Sequence, residues 1–234
     1  MEALEVLANN LANAETSGFK TDHEFYGLYT SPEAYSTMDD GFVATLPVVE
    51  KQWTDFSQGT LTNTGNPLDV ALSGNGFLVV NGPSGPLYTR NGALKVAPSR
   101  ELVTGDGYTV RAAGTNGQPI RIANDKPIEI SPDGTVRQDG QSLGQVELVS
   151  FQSTDSLKKL VGAAFQNTDP ANPPVSAANV QVQQGKLETS NVAVPEAAMR
   201  LVGVMRQFEM LQKAVLLDSE MDRSGIQEVA RVTS

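Results

Sequence analysis

The chain has 234 residues, room for one large domain or two small ones, and its 27 acidic against 17 basic side chains leave a formal net charge of −10. That balance excludes a binder of the nucleic-acid backbone, which needs a basic footprint. The lack of cysteine excludes disulfides, thiolate chemistry and cysteine-based metal sites. No stretch is long and apolar enough to predict a membrane span, so the chain is expected not to be membrane-inserted, and no cleavable leader is expected.

Residues 1–17 predict a short helix. Leu4, Leu7, Leu11 and Ala14 recur at alternating steps of three and four, and Gly18 after Thr16 and Ser17 is the expected stop. The pattern is already running at Met1, which predicts further turns upstream. Asn9, Asn10 and Asn13 form a dense amide cluster where asparagine is a mediocre helix former. Two roles stay open for them: local capping near a helix end, or bonds to the backbone of a neighbouring helix that fix its register. Residues 19–58 gather Phe19, Phe25, Tyr26, Leu28, Tyr29 and Tyr35, broken at 31–32 and 39–41. The runs 42–46 and 48–49 predict one or two strands around Pro47 within an extended connector.

From Thr60 to Phe151 the signals are those of strands. Short apolar runs at 70–72, 77–80 and 146–149 alternate with Asn-Gly pairs at 81–82, 91–92 and 116–117 and Asp-Gly pairs at 106–107, 133–134 and 139–140. Such pairs supply the positive φ that tight hairpins need, so a twisted antiparallel domain is expected. Residues 156–160 predict a short helix or turn, a proline-rich loop occupies 169–174, and Val180, Gln181, Val182 and Gln183 alternate like a strand.

A long helix then runs from Val194 to Leu217. Pro195 and Glu196 suit its first turn, and Val194, Ala197, Leu201, Val204, Phe208, Leu211 and Val215 form an unbroken three-four seam. Asp218, Ser219 and Glu220 loosen that register, and the rest is polar. Ala198, Met199, Val202, Met205, Met210, Ala214, Leu216 and Leu217 are apolar off the seam, while polar residues keep to a narrow band. A helix apolar on more than one face must be covered on more than one side, and other copies or other subunits are the expected cover. The fold class is therefore α+β: a discontinuous helical coiled-coil domain from both chain ends and an antiparallel β-rich middle domain.

No motif predicts catalysis. Gly74, Asn75 and Gly76 lack the third glycine of a dinucleotide fingerprint and the Gly-Lys-Ser/Thr of a P-loop. The Asp-Gly pairs lack a calcium loop with its closing glutamate. His23 is the only histidine, in a polar stretch expected to be exposed, and there is no Gly-x-Ser-x-Gly elbow. The chain is expected to have no catalytic residue, metal, cofactor or small-molecule substrate. Two other classes stay open: a free-standing β-rich surface-binding module, and a hydrolase whose two carboxylates meet only in space.

Five blocks then carry a resemblance. Residues 7–13, with Thr16, Ser17, Gly18, Phe19 and Lys20, resemble the N-terminal signature of bacterial flagellar rod, hook and hook-filament junction proteins. The blocks 66–72, 74–77 and 88–92 are similar to the family's middle domain, and 185–192 resembles the segment before its C-terminal helix. Within the family, Arg206, Phe208, Glu209 and Met210 are most similar to the proximal rod proteins, with Gln207 departing, and the distal rod or a hook-type axial protein is the nearest alternative. The resemblance implies an inner coiled-coil domain of residues 1–30 and 185–234, a connector of 31–59 and an outer β-rich domain of 60–184. It also implies helical stacking into a basal-body rod that transmits torque from motor to hook, partners among its own copies and non-identical axial proteins, and export by the flagellar type III apparatus. The expected assembly interface is Leu4, Leu7, Asn9, Asn10, Leu11, Asn13, Val194, Leu201, Val204, Phe208, Leu211 and Val215.

Overall fold

In a computed structural model, which describes residues 2–30, 45–160, 162–177 and 179–232, the strand Phe77–Gly82 lies at the centre of the β body. Its first four residues are all buried, because alternate side chains serve two different cores. Leu78 and Val80 point into an aliphatic cluster with Val70, Leu72, Leu102, Val110, Ile120 and Val136. Phe77 and Val79 face an aromatic cluster with Tyr88, Leu157 and Phe165, flanked by Phe56 and Phe151. Leu87 and Tyr88 divide between the same two clusters.

A nine-stranded sheet is built around that strand. Its path runs Leu157–Lys159, Ala164–Asn167, Gly85–Thr89, Phe77–Gly82, Thr109–Val110, Leu102–Thr104, Leu94–Val96, with Leu148–Ser150 joining Phe77–Gly82 to Val175–Ser176. A three-stranded sheet of Ile128–Ile130, Thr135–Gln138 and Gln141–Gln145, and pairs joining Gln181–Gln184 to Val70–Ser73 and Lys186–Glu188 to Leu61–Asn63, complete the body. Every one of these pairings is antiparallel. The chain divides into two compact units, Met1–Leu11 with Ala193–Ser234, and Ala12–Val192.

The aromatic core makes a direct demand on stability. The Phe165 ring is fully buried and lies 4.9 Å from Phe56 and 6.1 Å from Phe77, centroid to centroid. Phe165→Ala is expected to cost about 3–5 kcal/mol, from lost transfer energy plus the cavity it leaves. A chemical-denaturation midpoint measured against the parent checks this.

Several turns follow the sequence closely. Asn116 with Gly117, and Asp139 with Gly140, have positive φ at both positions, as a type I′ turn requires. At 81–82 the pair is still strand, and the chain turns one step later at Pro83 and Ser84. The pair at 91–92 is no hairpin: a Cβ on Gly92 would lie 1.8 Å from the Val70 carbonyl oxygen, so glycine is there for close approach. Asp133 accepts from the Thr135 backbone N–H at 3.0 Å and hydroxyl at 2.8 Å, and these bonds hold its carboxyl below the ordinary 3.8. A depressed folded pKa gives stability that is present above pH 3.8 and lost as pH falls through the folded value. Asp133→Asn is therefore expected to flatten the acid limb of a stability–pH curve.

Of residues 156–160, Ser156 closes a turn, but the rest is no helix: Leu157–Lys159 is an edge strand paired with Ala164–Asn167, with Leu157 buried and Lys158 exposed. Thr45–Thr54 passes through Pro47 and pairs with Asp22–Thr30. A two-stranded ribbon has free edges, where proline leaves no central ladder bond unmade. The expected strand residues Phe42, Val43 and Ala44, together with Tyr35 and the breaks at 31–32 and 39–41, lie outside the described residues. His23 is half-buried rather than exposed, stacked on Trp53 at 4.7 Å.

The described residues hold two α-helices, α1 Glu2–Ala12 and α2 Val194–Val232. The first ends short of residue 17 because Asn13 starts a turn: its carbonyl accepts from the Thr16 N–H at 3.1 Å and its side-chain oxygen from the Thr16 hydroxyl at 3.3 Å. The second continues past Leu217 to Val232, so the polar residues from Asp218 onward, where the apolar seam ends, are still helix. Among the described residues no helix is long and apolar enough to cross a membrane.

Candidate assembly surface and a buried ion cluster

The start of α2 follows local rules. Ala197 donates its N–H to Ala193 at 2.9 Å, Pro195 sits in the first turn, and Glu196 pairs with Arg200 one turn on at 2.8 Å. Beyond that, the helix shows apolar groups to water. Met199 keeps 70 % of its surface exposed, Met205 51 % and Leu211 60 %. At 3.6 residues per turn these three side chains leave the axis about 120° apart. The uncovered apolar surface therefore runs around the helix and is not one stripe.

The expected interface residues divide between grades of burial. On α1, Leu4, Leu7 and Leu11 are half-buried, Asn10 is buried and Asn9 is exposed, while Asn13 is half-buried in the turn that follows. On α2, Val194 is exposed, Leu201 and Val204 are half-buried, and Phe208 and Leu211 are exposed. Val215 belongs to the same helix. Ala197, on the seam, is buried.

The β body contains a second feature, a cluster of three buried charges. Glu188 Oε1 accepts from Lys20 Nζ at 2.5 Å and from the Gly59 N–H at 2.9 Å, and its Oε2 accepts from Arg90 Nη1 at 3.0 Å. All three side chains are at most 2 % exposed. Lys20 also donates to the Ser57 carbonyl at 2.6 Å, and Arg90 Nη2 to the Gly74 carbonyl. Arg90 Nε has no hydrogen-bond partner among the described residues; the guanidinium lies 5.6 Å from the Phe77 ring centroid. Burial pushes the Lys20 ammonium below its ordinary pKa, with the bond to Glu188 opposing.

Backbone geometry makes the cluster possible. Gly18 has φ +69°, and a Cβ there would lie 2.3 Å from the Arg90 carbonyl carbon. Only glycine lets the incoming chain pass this close to residues 90 and 91. Next to it, Lys159 pairs with Asp22 at 2.6 Å, lies 4.0 Å above the Phe19 ring and donates to the Lys20 carbonyl. Burial lowers the Lys159 pKa as well, with Asp22 opposing.

Reasoning on hydrophobic periodicity overlooked this cluster. The signal was present: three of the five sequence blocks each contain one member, Lys20 after Gly18 and Phe19, Arg90 before Asn91 and Gly92, and Glu188 after Gly185. Among the described residues no group of three or more His, Asp or Glu side chains is placed to hold a metal ion.

Three family models match successive parts of the chain. Residues 2–20 match the family described as flagella basal body rod protein, residues 71–138 the flagellar hook protein FlgE/F/G D1 domain, and residues 183–228 the flagellar basal body rod FlgEFG protein C-terminal. The chain is 30 % identical over 230 residues to the flagellar basal-body rod protein FlgF of Caulobacter vibrioides, covering 98 % of this chain and 92 % of that one. It is also 30 % identical to the rod protein FlgG of Buchnera aphidicola subsp. Baizongia pistaciae, with 93 % and 90 % covered. To FlgG of Bacillus subtilis it is 28 % identical over the same shares. A relative this similar across nearly the whole of both chains, with helices and β body each matched separately, places the protein: the chain belongs to the flagellar basal-body rod protein family and is a structural subunit of the rod.

Proposed function

We propose that this subunit assembles helically with its own copies and with non-identical axial proteins, that it occupies the proximal part of the rod, and that the rod so built transmits torque. One observation supports this above the others: Met199, Met205 and Leu211 are exposed in three directions around α2. One neighbouring helix covers one stripe, so covering this helix takes several neighbours, which a stacked assembly provides. In this reading Leu4, Leu7, Asn9, Asn10, Leu11, Asn13, Val194, Leu201, Val204, Phe208, Leu211 and Val215 form the contacts, coiled-coil fashion. Residues 1–30 and 185–234 act as the assembly domain, 31–59 as a connector and 60–184 as the β-rich domain. The proximal position rests on Arg206, Phe208, Glu209 and Met210, and export by the flagellar type III apparatus on the family likeness. The work is mechanical and calls on no catalytic group.

The chain has no cysteine, so Met199→Cys introduces a unique crosslinking handle. Crosslinking in isolated basal bodies is expected to join this residue to copies of the same chain and to neighbouring proximal rod proteins. Products with distal rod or hook subunits alone would move the protein along the axis. A chain that stays unlinked and monomeric would favour the surface-binding module instead.

A further inference from the structure

The residues at 18–21 and 189–192 belong to no strand, and each stretch is held in large part by the other. The Gly18 N–H donates to the Glu188 carbonyl at 2.8 Å, and the Asn191 N–H reaches the Phe19 carbonyl at 3.4 Å. The Thr21 N–H and hydroxyl both donate to Asn191 Oδ1 at 2.8 Å. The Asn191 amide in turn donates to the Asp55 carbonyl at 2.8 Å, and the Thr189 N–H to the Thr60 carbonyl at 2.9 Å. Within this mesh sit Lys20, Arg90 and Glu188, two cations on one anion, all buried.

We infer that the Lys20–Glu188–Arg90 cluster is a latch that makes the seating of residues 18–21 and of residues 187–191 on the rest of the β body mutually conditional. Glu188 supplies the only carboxylate in the cluster. If residues 187–191 leave, Lys20 and Arg90 lose the carboxylate that bonds them both and face each other desolvated, with only the weaker pull of Asp55 left on Lys20, an arrangement costly in a protein interior. Lys20 must then move to water, carrying with it Phe19, which is fully buried. If residues 18–21 leave first, Asn191 loses its Thr21 donors and Glu188 loses its closest cation. Either departure removes a large part of what holds the other stretch, so the two open as one cooperative unit. The partners stand 168 and 98 residues apart in sequence, so the latch closes only after both ends of the chain have returned. This is a property of the single chain, and it stands or falls separately from the assembly reading.

Native-state hydrogen exchange on the full chain tests it, comparing the parent with Glu188→Gln, which keeps the shape and removes the charge. The amides of Gly18, Thr21 and Thr189 are expected to lose protection together, by tenfold or more. Those of Val79 and Leu102, bonded to the Glu147 and Ile120 carbonyls in the body, are expected to stay unchanged. Faster exchange at Thr189 alone, with Gly18 and Thr21 still protected, would overturn the latch. So would a uniform rise across the body, which would mark the cluster as ordinary core. Should Glu188→Gln not fold, Lys20→Met keeps the Arg90–Glu188 pair and is judged by the same criterion, with joint loss expected at smaller amplitude.

Discussion

Leu211→Asp is expected to abolish rod assembly while leaving the β body folded. In the single chain this side chain keeps 60 % of its surface in water, and substitutions at such positions usually move stability by no more than about 0.5 kcal/mol. Among packed neighbours the same carboxylate would be desolvated without a partner, at a cost of several kcal/mol per subunit. A repeating assembly multiplies that penalty at every copy. Phe208→Ala acts in the same direction more weakly, by removing apolar area. Thermal melts of the purified variant are expected to match the parent within a few degrees, whereas strains carrying it should spread poorly in soft agar and show no rod by electron microscopy. Normal swimming by the Leu211→Asp strain would contradict the assignment of this face.

Glu188→Ala is expected to give the largest loss of stability of any single change at the ion cluster, about 3–5 kcal/mol, because it leaves Lys20 and Arg90 buried together without an anion. For a chain of this size that corresponds to a melting temperature lower by roughly 6–20 °C. Lys20→Met should cost clearly less, because Arg90 and Glu188 remain as a one-to-one pair and the methionine stem fills the space. The ordering separates charge balance from packing. If Lys20→Met proved as damaging as Glu188→Ala, shape and not charge would govern the site.

The parts of this fold that could be read from the chain are those whose cause is local. The run at 77–80 announces a strand because four consecutive apolar residues, bounded by turns, need cover on both faces. The pair at 139–140 announces a turn because few other residues accept its dihedral angles. Leu157–Lys159 escaped notice because three residues are too few to show a period; only the pairing with Ala164–Asn167 makes them a strand. The end of α1 at Ala12 depended on Asn13 and Thr16 bonding each other in preference to extending the helix. The three-four seam of α2 was legible as periodicity, and so were the apolar residues off it that stand exposed in several directions. Lys20, Arg90 and Glu188 were not, since nothing in a reading by neighbours links positions so far apart.

One geometric fact has a mechanical meaning. Gly18 and Glu188 meet through a single backbone bond of 2.8 Å, so the incoming and outgoing strands of polypeptide touch where they join the β body. A pull applied through one end can pass straight across to the other without traversing the nine-stranded sheet. Within the β body, the nine-stranded sheet then stands outside the load path, free to keep its shape while tension runs from residue 18 to residue 188.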